Sequence, residues 1–388
     1  MAARIAQRGY THIMPGPVIV ADDAIAHAEL ALGPLGELYR VAAASIPELL
    51  GRVRADALIV RSVTRVDAAL LDRAPNLSLV ATATAGTDHL DLRELEARGV
   101  QVASAAGCNA QAVAEWVLAA LVSARPRLAP EITSGPIGVV GFGNVGSRVT
   151  KLLRATGHEV LACDPPLARA GCDEALVEFE QLWRRCSIVS FHVPLIGEGL
   201  DRTAGYLDAR SPAPAGPKLI LNTSRGPVVR DAALDRADLG AAILDVWDGE
   251  PNLSAARLRD PKLLLASPHV AGYSLEGKVA ATRMMHEAVC AWLGRRPSWT
   301  GAELLPICVL DPAPASIAEV LARAVDLAGD DARTRALATL PSAERAPAFE
   351  QLRRRYALRR EFRSWAIPAD HPHVEWLGRA GFSILGAA

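Results

Sequence analysis

Arg225, Glu250 and His269 are the residues in this chain whose types and surroundings suit a single reaction. Oxidising a 2-hydroxy acid asks three things of a protein besides a hydride acceptor: a clamp on the carboxylate, removal of the hydroxyl proton, and a partner that holds the base in the right tautomer. Arg225, in N-T-S-R-G, has the planar fork that grips a carboxylate. His269, in S-P-H-V-A-G-Y, is placed to take the hydroxyl proton as hydride leaves C2. Glu250, in L-D-V-W-D-G-E-P, can accept a hydrogen bond from the other ring nitrogen and stabilise the imidazolium. Singly, each has a duller explanation, a surface residue at a strand end or a satisfied structural histidine. The combination gains its weight from the loop that precedes it.

That loop is Gly141-Phe142-Gly143-Asn144-Val145-Gly146, which follows the strand-like run at 137–140 and leads into a helical pattern at 147–155. Gly141 allows the tight turn, Gly143 lets the backbone approach a pyrophosphate, and Gly146 lets the helix pack closely on the strand. The N–H groups of Asn144 and Val145 open the helix, where an anion is favoured. A second strand-like run, 159–162, leads to Asp164, an acid placed to accept hydrogen bonds from ribose hydroxyls and to repel a 2′-phosphate. This predicts NAD as the cofactor. A glycine-rich turn beside an unrelated aspartate is the bland alternative, and the strand–loop–helix–strand context argues against it.

These residues need elements to hold them, and strand-like and helix-like segments alternate along the chain, as in α/β proteins with parallel sheets. Strands are predicted at 18–21, 57–60, 79–83 and 100–103, with helices at 46–53 and 88–98 between them. A helix at 109–124 carries apolar residues with little polar surface and should be packed on several sides. Six further strands, at 137–140, 159–162, 188–191, 219–222, 242–244 and 263–266, fit a doubly wound sheet, which places Arg225, Glu250 and His269 at strand ends where such sheets bind ligands. A helix at 277–293 would return to the first domain. Beyond residue 297 the pattern changes to amphipathic helices at 316–327 and 346–363 and a last element at 373–385.

The 388 residues exceed one ordinary core, and half of them are hydrophobic. The formal net charge of −1 provides no field for nucleic acid or an anionic membrane. The six cysteines form no C-x-x-C pair and no Cys/His set at zinc spacing, so free thiols and no metal are expected. The first residues lack the apolar run of a secretory signal, and no apolar run approaches the roughly 20 residues of a membrane span. The expectation is a cytoplasmic enzyme whose residues 1–13 are a disordered extension.

At this point the chain resembles the D-isomer-specific 2-hydroxyacid dehydrogenase family, which shares the glycine loop, the N-x-x-R-G arginine, the D-V-x-x-x-E-P glutamate and the S-P-H-x-A histidine. The resemblance implies a Rossmann NAD domain, 109–269, inserted in a discontinuous flavodoxin-like substrate domain, 14–108 and 270–297. R-S-V-T at 61–64, A-T-A-G-T-D-H at 83–89, G-C-N-A at 107–110, C-D-P-P at 163–166 and A-G-Y-S-L-E-G-K at 271–278 resemble a subgroup of pyridoxal-phosphate biosynthesis. So does the tail, with D-D-A at 330–332 and L-R-R-R-Y-A-L-R-R-E-F at 352–362, which implies a small α+β dimerisation domain at 298–388 and a homodimer. By the same resemblance Ser62, Thr84 and Tyr273 contact the substrate, a phosphorylated 2-hydroxy acid. Asp164, Val193, Thr223, Ser224, Arg225, Asp245 and Gly272 lie against the NAD. The chain departs from the subgroup at V-A-D-D after the first strand, across 197–217, and at Val193, where threonine is common.

A phosphate needs a cation beyond the one that takes the carboxylate. Arg61, beside Ser62 and just after the strand 57–60, is the first candidate, and the arginines of 352–362 are the second. A face of Phe349, Leu352, Tyr356 and Arg359 on the helix 346–363 is expected to meet a second subunit. Two other readings compete: a phosphoglycerate, glyoxylate or lactate-type dehydrogenase of the same family, and an NAD-sensing corepressor that keeps the frame but acts through partner peptides. The R-S-V-T motif argues against the first and the intact catalytic group against the second.

Overall fold

The structure, a computed structural model, describes residues 16–211, 218–237, 239–310 and 315–386. The extension expected at 1–13 lies outside them. Its contacts divide the chain into two units, one of residues up to Ala105 with Ala281–Gly301, the other of Ala106–Ala280 with Ala302–Ala388. The boundaries read from the sequence at 108, 270 and 297 therefore fall at 105, 280 and 301 in the contact pattern, and the tail clusters with the glycine-loop fold.

In the first unit, runs of aliphatic residues form β1 (Val18–Asp22), β3 (Ala57–Val60), β4 (Leu79–Thr82) and β5 (Gln101–Ser104). The strand β2 (Glu37–Val41) was not expected, because E-L-Y-R-V is half polar. It sits at the sheet edge, where one side stays in solvent and such a pattern is tolerated. All pairings are parallel in the order β2-β1-β3-β4-β5, the flavodoxin-like arrangement. The helices are shorter than the periodicity suggested, Ile46–Leu50 and Leu92–Ala97, the latter capped by the Asp91 carboxylate on the Glu94 N–H. The helix Leu275–Trp292 runs from the second unit into the first. There its Thr282 hydroxyl donates to the Ala26 carbonyl at 2.6 Å.

The second unit is built on β6 (Ile137–Val140), β7 (Val160–Cys163), β8 (Ile188–Phe191), β9 (Leu219–Asn222), β10 (Ala241–Leu244) and β11 (Leu263–Ala266). These pair in parallel in the order β7-β6-β8-β9-β10-β11, and Leu176 continues the sheet past β7 through a single bridge to Ala162. The strand order reverses between β6 and β8, so the glycine loop after β6 opens at the switch point, where doubly wound sheets bind ligands. The helix Ala110–Ala124 is buried almost throughout because it is covered twice. Trp116, Val117 and Leu121 share one core with Val139 and Val149 of the nucleotide fold and with Val320, Leu321 and Phe362 of the tail.

Among the described residues, the tail contributes a three-stranded parallel sheet, β12 (Cys308–Val309), β13 (Trp365–Ile367) and β14 (Ser383–Ile384), and four α-helices. The expected helix 316–327 is two, Ile317–Ala324 and Leu327–Ala336, the first opened by a reciprocal Ser316–Glu319 capping box. The expected helix 346–363 is Ser342–Arg354, and the remainder is extended and loop.

Three members of the proposed subunit face, Phe349, Tyr356 and Arg359, have partners inside the chain, while Leu352 stays partly exposed. Phe349 is fully buried in the core that also holds Trp247, Leu253 and Leu258, each such side chain contributing about 1.5–3 kcal/mol. The Tyr356 hydroxyl donates to Asp330 at 3.0 Å. Arg359 is buried against Glu115 and the Ala112 and Ala271 carbonyls. Arg360 pairs with buried Glu276 at 2.6 Å. These arginines are therefore not the solvated face that their run suggests. Burial pushes Glu115 up to about 8, against the pull of Arg359.

Candidate active site

Glu250 and His269 meet through the short Glu250 Oε1–His269 Nδ1 hydrogen bond of 2.6 Å, with both side chains about three-quarters buried. The second Glu250 oxygen accepts the Trp247 N–H at 3.1 Å, and the Trp247 indole donates to the Ser267 carbonyl at 2.9 Å, which ties the two loops together. Burial opposes ionisation of Glu250. The hydrogen bond and charge of His269, the Trp247 N–H and the Arg353 guanidinium outweigh it and hold the carboxyl below the usual carboxylate range. Glu250 is thus an anion aimed at one imidazole nitrogen.

His269 has a backbone φ of 61°, a left-handed conformation that costs a non-glycine residue about 1–3 kcal/mol. Buried Asp245 holds it there. The His269 N–H donates to the Asp245 carbonyl at 2.8 Å. Its Oδ1 accepts the Ser267 hydroxyl and the N–H groups of Val270 and Ala271 at 2.6, 2.7 and 3.1 Å. Asp245, read from resemblance as lying against the NAD, spends that oxygen on the histidine loop, and burial raises its pKa.

Arg225 leaves the end of β9 in extended conformation. Its loop is set by Asn222, whose Nδ2 donates to the Arg225 carbonyl at 3.0 Å while its Oδ1 accepts the Ser224 hydroxyl at 2.7 Å. The next residue presses on the glutamate loop: a Cβ at Gly226 would stand 1.7 Å from the Trp247 carbonyl oxygen. Thr223 shares a hydrogen bond of 3.0 Å with His192, a residue that no sequence signal marked. Burial pushes His192 down to about 3, so this ring is a neutral spacer between Thr223 and Ser190.

The glycine loop fits a dinucleotide. Gly141 has φ 92°, and a Cβ at Gly146 would meet the Gly141 carbonyl oxygen at 1.8 Å, so helix and strand touch through backbone. A Cβ at Gly143 would meet no protein atom within 4 Å, which leaves open the side a pyrophosphate would take. The helix Asn144–Ala155 begins there, with Val145 in its first turn. A cavity of about 550 Å³ beside the loop is lined by Gly141, Asp164, Val193, Pro194 and Tyr206 among others. The Asp164 carboxylate lines this cavity and is held by the Phe142 N–H at 2.8 Å on one oxygen and the Leu167 N–H at 3.0 Å on the other. Gly272 is required by a close approach, since a Cβ would lie 2.4 Å from Asn109 Nδ2.

The Asp164 geometry carries a prediction. Asp164→Ala removes a helix cap worth about 1 kcal/mol. It should also weaken NAD binding by about tenfold or more, narrowing the preference over NADP, because hydrogen bonds to a charged acceptor are among the stronger ones. Fluorescence titration with both cofactors checks this, and unchanged affinities would remove Asp164 from the ribose site.

Of the residues expected at the substrate, Ser62 is exposed and Thr84 half-buried, on the loops after β3 and β4. Thr84 shares a hydrogen bond with Thr82 at 2.7 Å. Arg61 Nε pairs with buried Asp22 at 3.0 Å, so part of its charge is met within the protein. Tyr273 follows the histidine loop, its N–H donating to the Val270 carbonyl at 2.8 Å. Among the described residues no group of three or more His, Cys, Asp or Glu side chains is arranged for a metal, and no helix is long and apolar enough to cross a membrane.

Comparison with known proteins gives a concordant result. Residues 105–271 match the family model of the D-isomer specific 2-hydroxyacid dehydrogenase NAD binding domain. The erythronate-4-phosphate dehydrogenase of Salinibacter ruber is 39% identical over 382 residues, covering 91% of this chain and 95% of its own length. That of Aeromonas hydrophila is 40% identical over 385 residues, covering 94% and 98%. Among solved structures, a Thermus thermophilus protein superposes with a TM-score of 0.58 at 28% identity, covering 72% of this chain and 98% of its own. An NAD⁺-bound phosphoglycerate dehydrogenase of Entamoeba histolytica shares the fold, with a TM-score of 0.60 at 20% identity and coverage of 72% and 96%.

Proposed function

Because this chain belongs to the erythronate-4-phosphate dehydrogenase family, within the D-isomer specific 2-hydroxyacid dehydrogenases, we propose that it oxidises 4-phospho-D-erythronate at C2, yielding 3-hydroxy-2-oxo-4-phosphobutanoate for pyridoxal phosphate biosynthesis in the cytoplasm. The observation that carries the chemistry is the 2.6 Å pair of Glu250 and His269 at the strand ends of an NAD-binding sheet. Bound NAD supplies the hydride acceptor. Arg225 grips the substrate carboxylate and orients C2. His269 Nε2 takes the proton from the C2 hydroxyl, while Glu250, already ionised, keeps the proton on Nδ1 and stabilises the imidazolium that forms. Asp245 keeps the imidazole in place at a strained backbone position, so the geometry exists before substrate binds. Ser62, Thr84 and Tyr273 are the substrate contacts that the family resemblance implies, and Arg61 is a candidate cation for the phosphate.

We also infer a homodimer formed through the tail. The tail carries exposed Ile307, Val309 and Leu358, and a groove of about 1010 Å³ lined in part by Leu337, Leu340, Ala348 and Leu352. An apolar surface of that kind is suited to a second copy. NADH formation on 4-phospho-D-erythronate should exceed that on phosphoglycerate, glyoxylate or lactate by orders of magnitude. Equal rates on these acids would reject the substrate, and a monomer by light scattering at micromolar concentration would reject the dimer.

A further inference from the structure

Tyr273 stands among groups that the sequence did not bring together. Lys278 Nζ lies over its ring, 4.7 Å from the centroid, and Tyr356 meets the ring edge-on at 5.8 Å between centroids. Lys278 occupies the first turn of the helix Leu275–Trp292, where a cation opposes the helix dipole and is placed at a cost. Arg353 approaches from the tail. On the helix Ser342–Arg354, residues 345, 349 and 353 follow one another at four-residue spacing and share a face. Arg345 donates to the Leu253 carbonyl at 2.6 Å and Phe349 shares one buried core with Trp247 and Leu253, so this face packs on the segment that follows Glu250. Arg353 stacks its guanidinium 5.9 Å from the Phe349 centroid and gives Nη1 to Glu350 at 3.1 Å. Its Nε is buried with no hydrogen-bond partner, a costly arrangement unless something else accepts from it.

We propose that Tyr273, Lys278 and Arg353 form the seat of the substrate's terminal phosphate, with the two cations meeting its charge and the phenol and guanidinium donating to its oxygens. The proposal rests on the reading of the substrate as a phosphorylated 2-hydroxy acid. Two further observations support it. Against the pull of burial, the Tyr273 hydroxyl and the charges of Glu350 and Glu250 raise the Arg353 pKa. Arg61 and Arg353 each already meet one carboxylate, Asp22 and Glu350, so a phosphate dianion needs more than one cation. A four-carbon acid offers little apolar area, so charge recognition must supply most of its affinity. The consequence is that the tail is a part of the active site as well as a packing element.

The test uses the full chain and its Arg353→Met and Lys278→Met variants. For each, kcat/KM on 4-phospho-D-erythronate is divided by that on D-erythronate, and inorganic phosphate is titrated as a competitive inhibitor. Each substitution should lower the ratio by about 10- to 100-fold and weaken phosphate inhibition by a similar factor. Arg353→Lys, which keeps the charge, should recover part of both. NAD affinity, read by fluorescence, reports whether a variant is folded. Losses that are equal on the two substrates, or phosphate inhibition unaltered in both variants, would overturn the seat. A native enzyme that phosphate inhibits but that does not prefer the phosphorylated acid would overturn the substrate reading and leave the seat standing. A native enzyme that phosphate does not inhibit would overturn the seat itself.

Discussion

Replacing His269 with alanine should lower turnover by about 10²–10⁴, the usual share of a positioned general base, while NAD binding stays near normal. The reason is spatial. The cavity beside the glycine loop is lined by Gly141, Asp164, Val193 and their neighbours, and His269 is not among its lining residues. The companion substitution Glu250→Gln preserves shape and removes charge. The amide has no preference for the ring N–H over the bare nitrogen, so the histidine is free to hold the wrong tautomer, at a cost of up to about 10⁴ in turnover. Steady-state NADH formation measures both. A fully active His269→Ala enzyme would overturn the assignment of the base. A Glu250→Gln enzyme with native turnover would show that the 2.6 Å contact orients nothing.

The second large effect is expected at a residue with no functional group. Gly226→Ala places a Cβ 1.7 Å from the Trp247 carbonyl oxygen and 2.8 Å from the Asp248 nitrogen, both backbone atoms. Trp247 has no room to retreat, being buried, with its indole held by Ser267 and its N–H by Glu250. The added methyl must therefore drive the Arg225 loop and the Glu250 loop apart. Overpacking of this kind costs about 1–3 kcal/mol of stability. A displacement near 1 Å in a catalytic constellation costs about 10²-fold in rate. Thermal unfolding together with kcat on the phosphorylated acid separates the two contributions. A Gly226→Ala enzyme as active and as stable as the native one would mean that the loops are not in contact.

Much of the frame was legible because its signals are local. Strands at 57–60, 137–140, 188–191, 219–222 and 263–266 coincide with the structure to the residue, since short aliphatic runs bounded by turn residues have few other fates in an α/β chain. The edge strand Glu37–Val41 escaped because an exposed edge needs no apolar run. The helix expected at 346–363 ends at Arg354 because its periodicity resembled a helix only as far as residues that buried partners claim instead. Arg359 and Arg360 look like surface charges until Glu115 and Glu276, more than 80 residues distant in sequence, arrive beside them.

By itself the sequence determined the doubly wound glycine-loop fold and marked Asp164, Arg225, Glu250 and His269 as candidates, because each belongs to a short motif whose chemistry is independent of its neighbours. Only the tertiary structure decided how those residues are held. Asp245 clamps a strained histidine loop. Gly226 sits against Trp247. A neutral His192 backs Thr223. Lys278 lies over the ring of Tyr273. The physical reason is the same in each case. A buried charge or a close backbone contact is stable only with its partner in place, and where the partner is distant in sequence the chain has no local pattern that announces it.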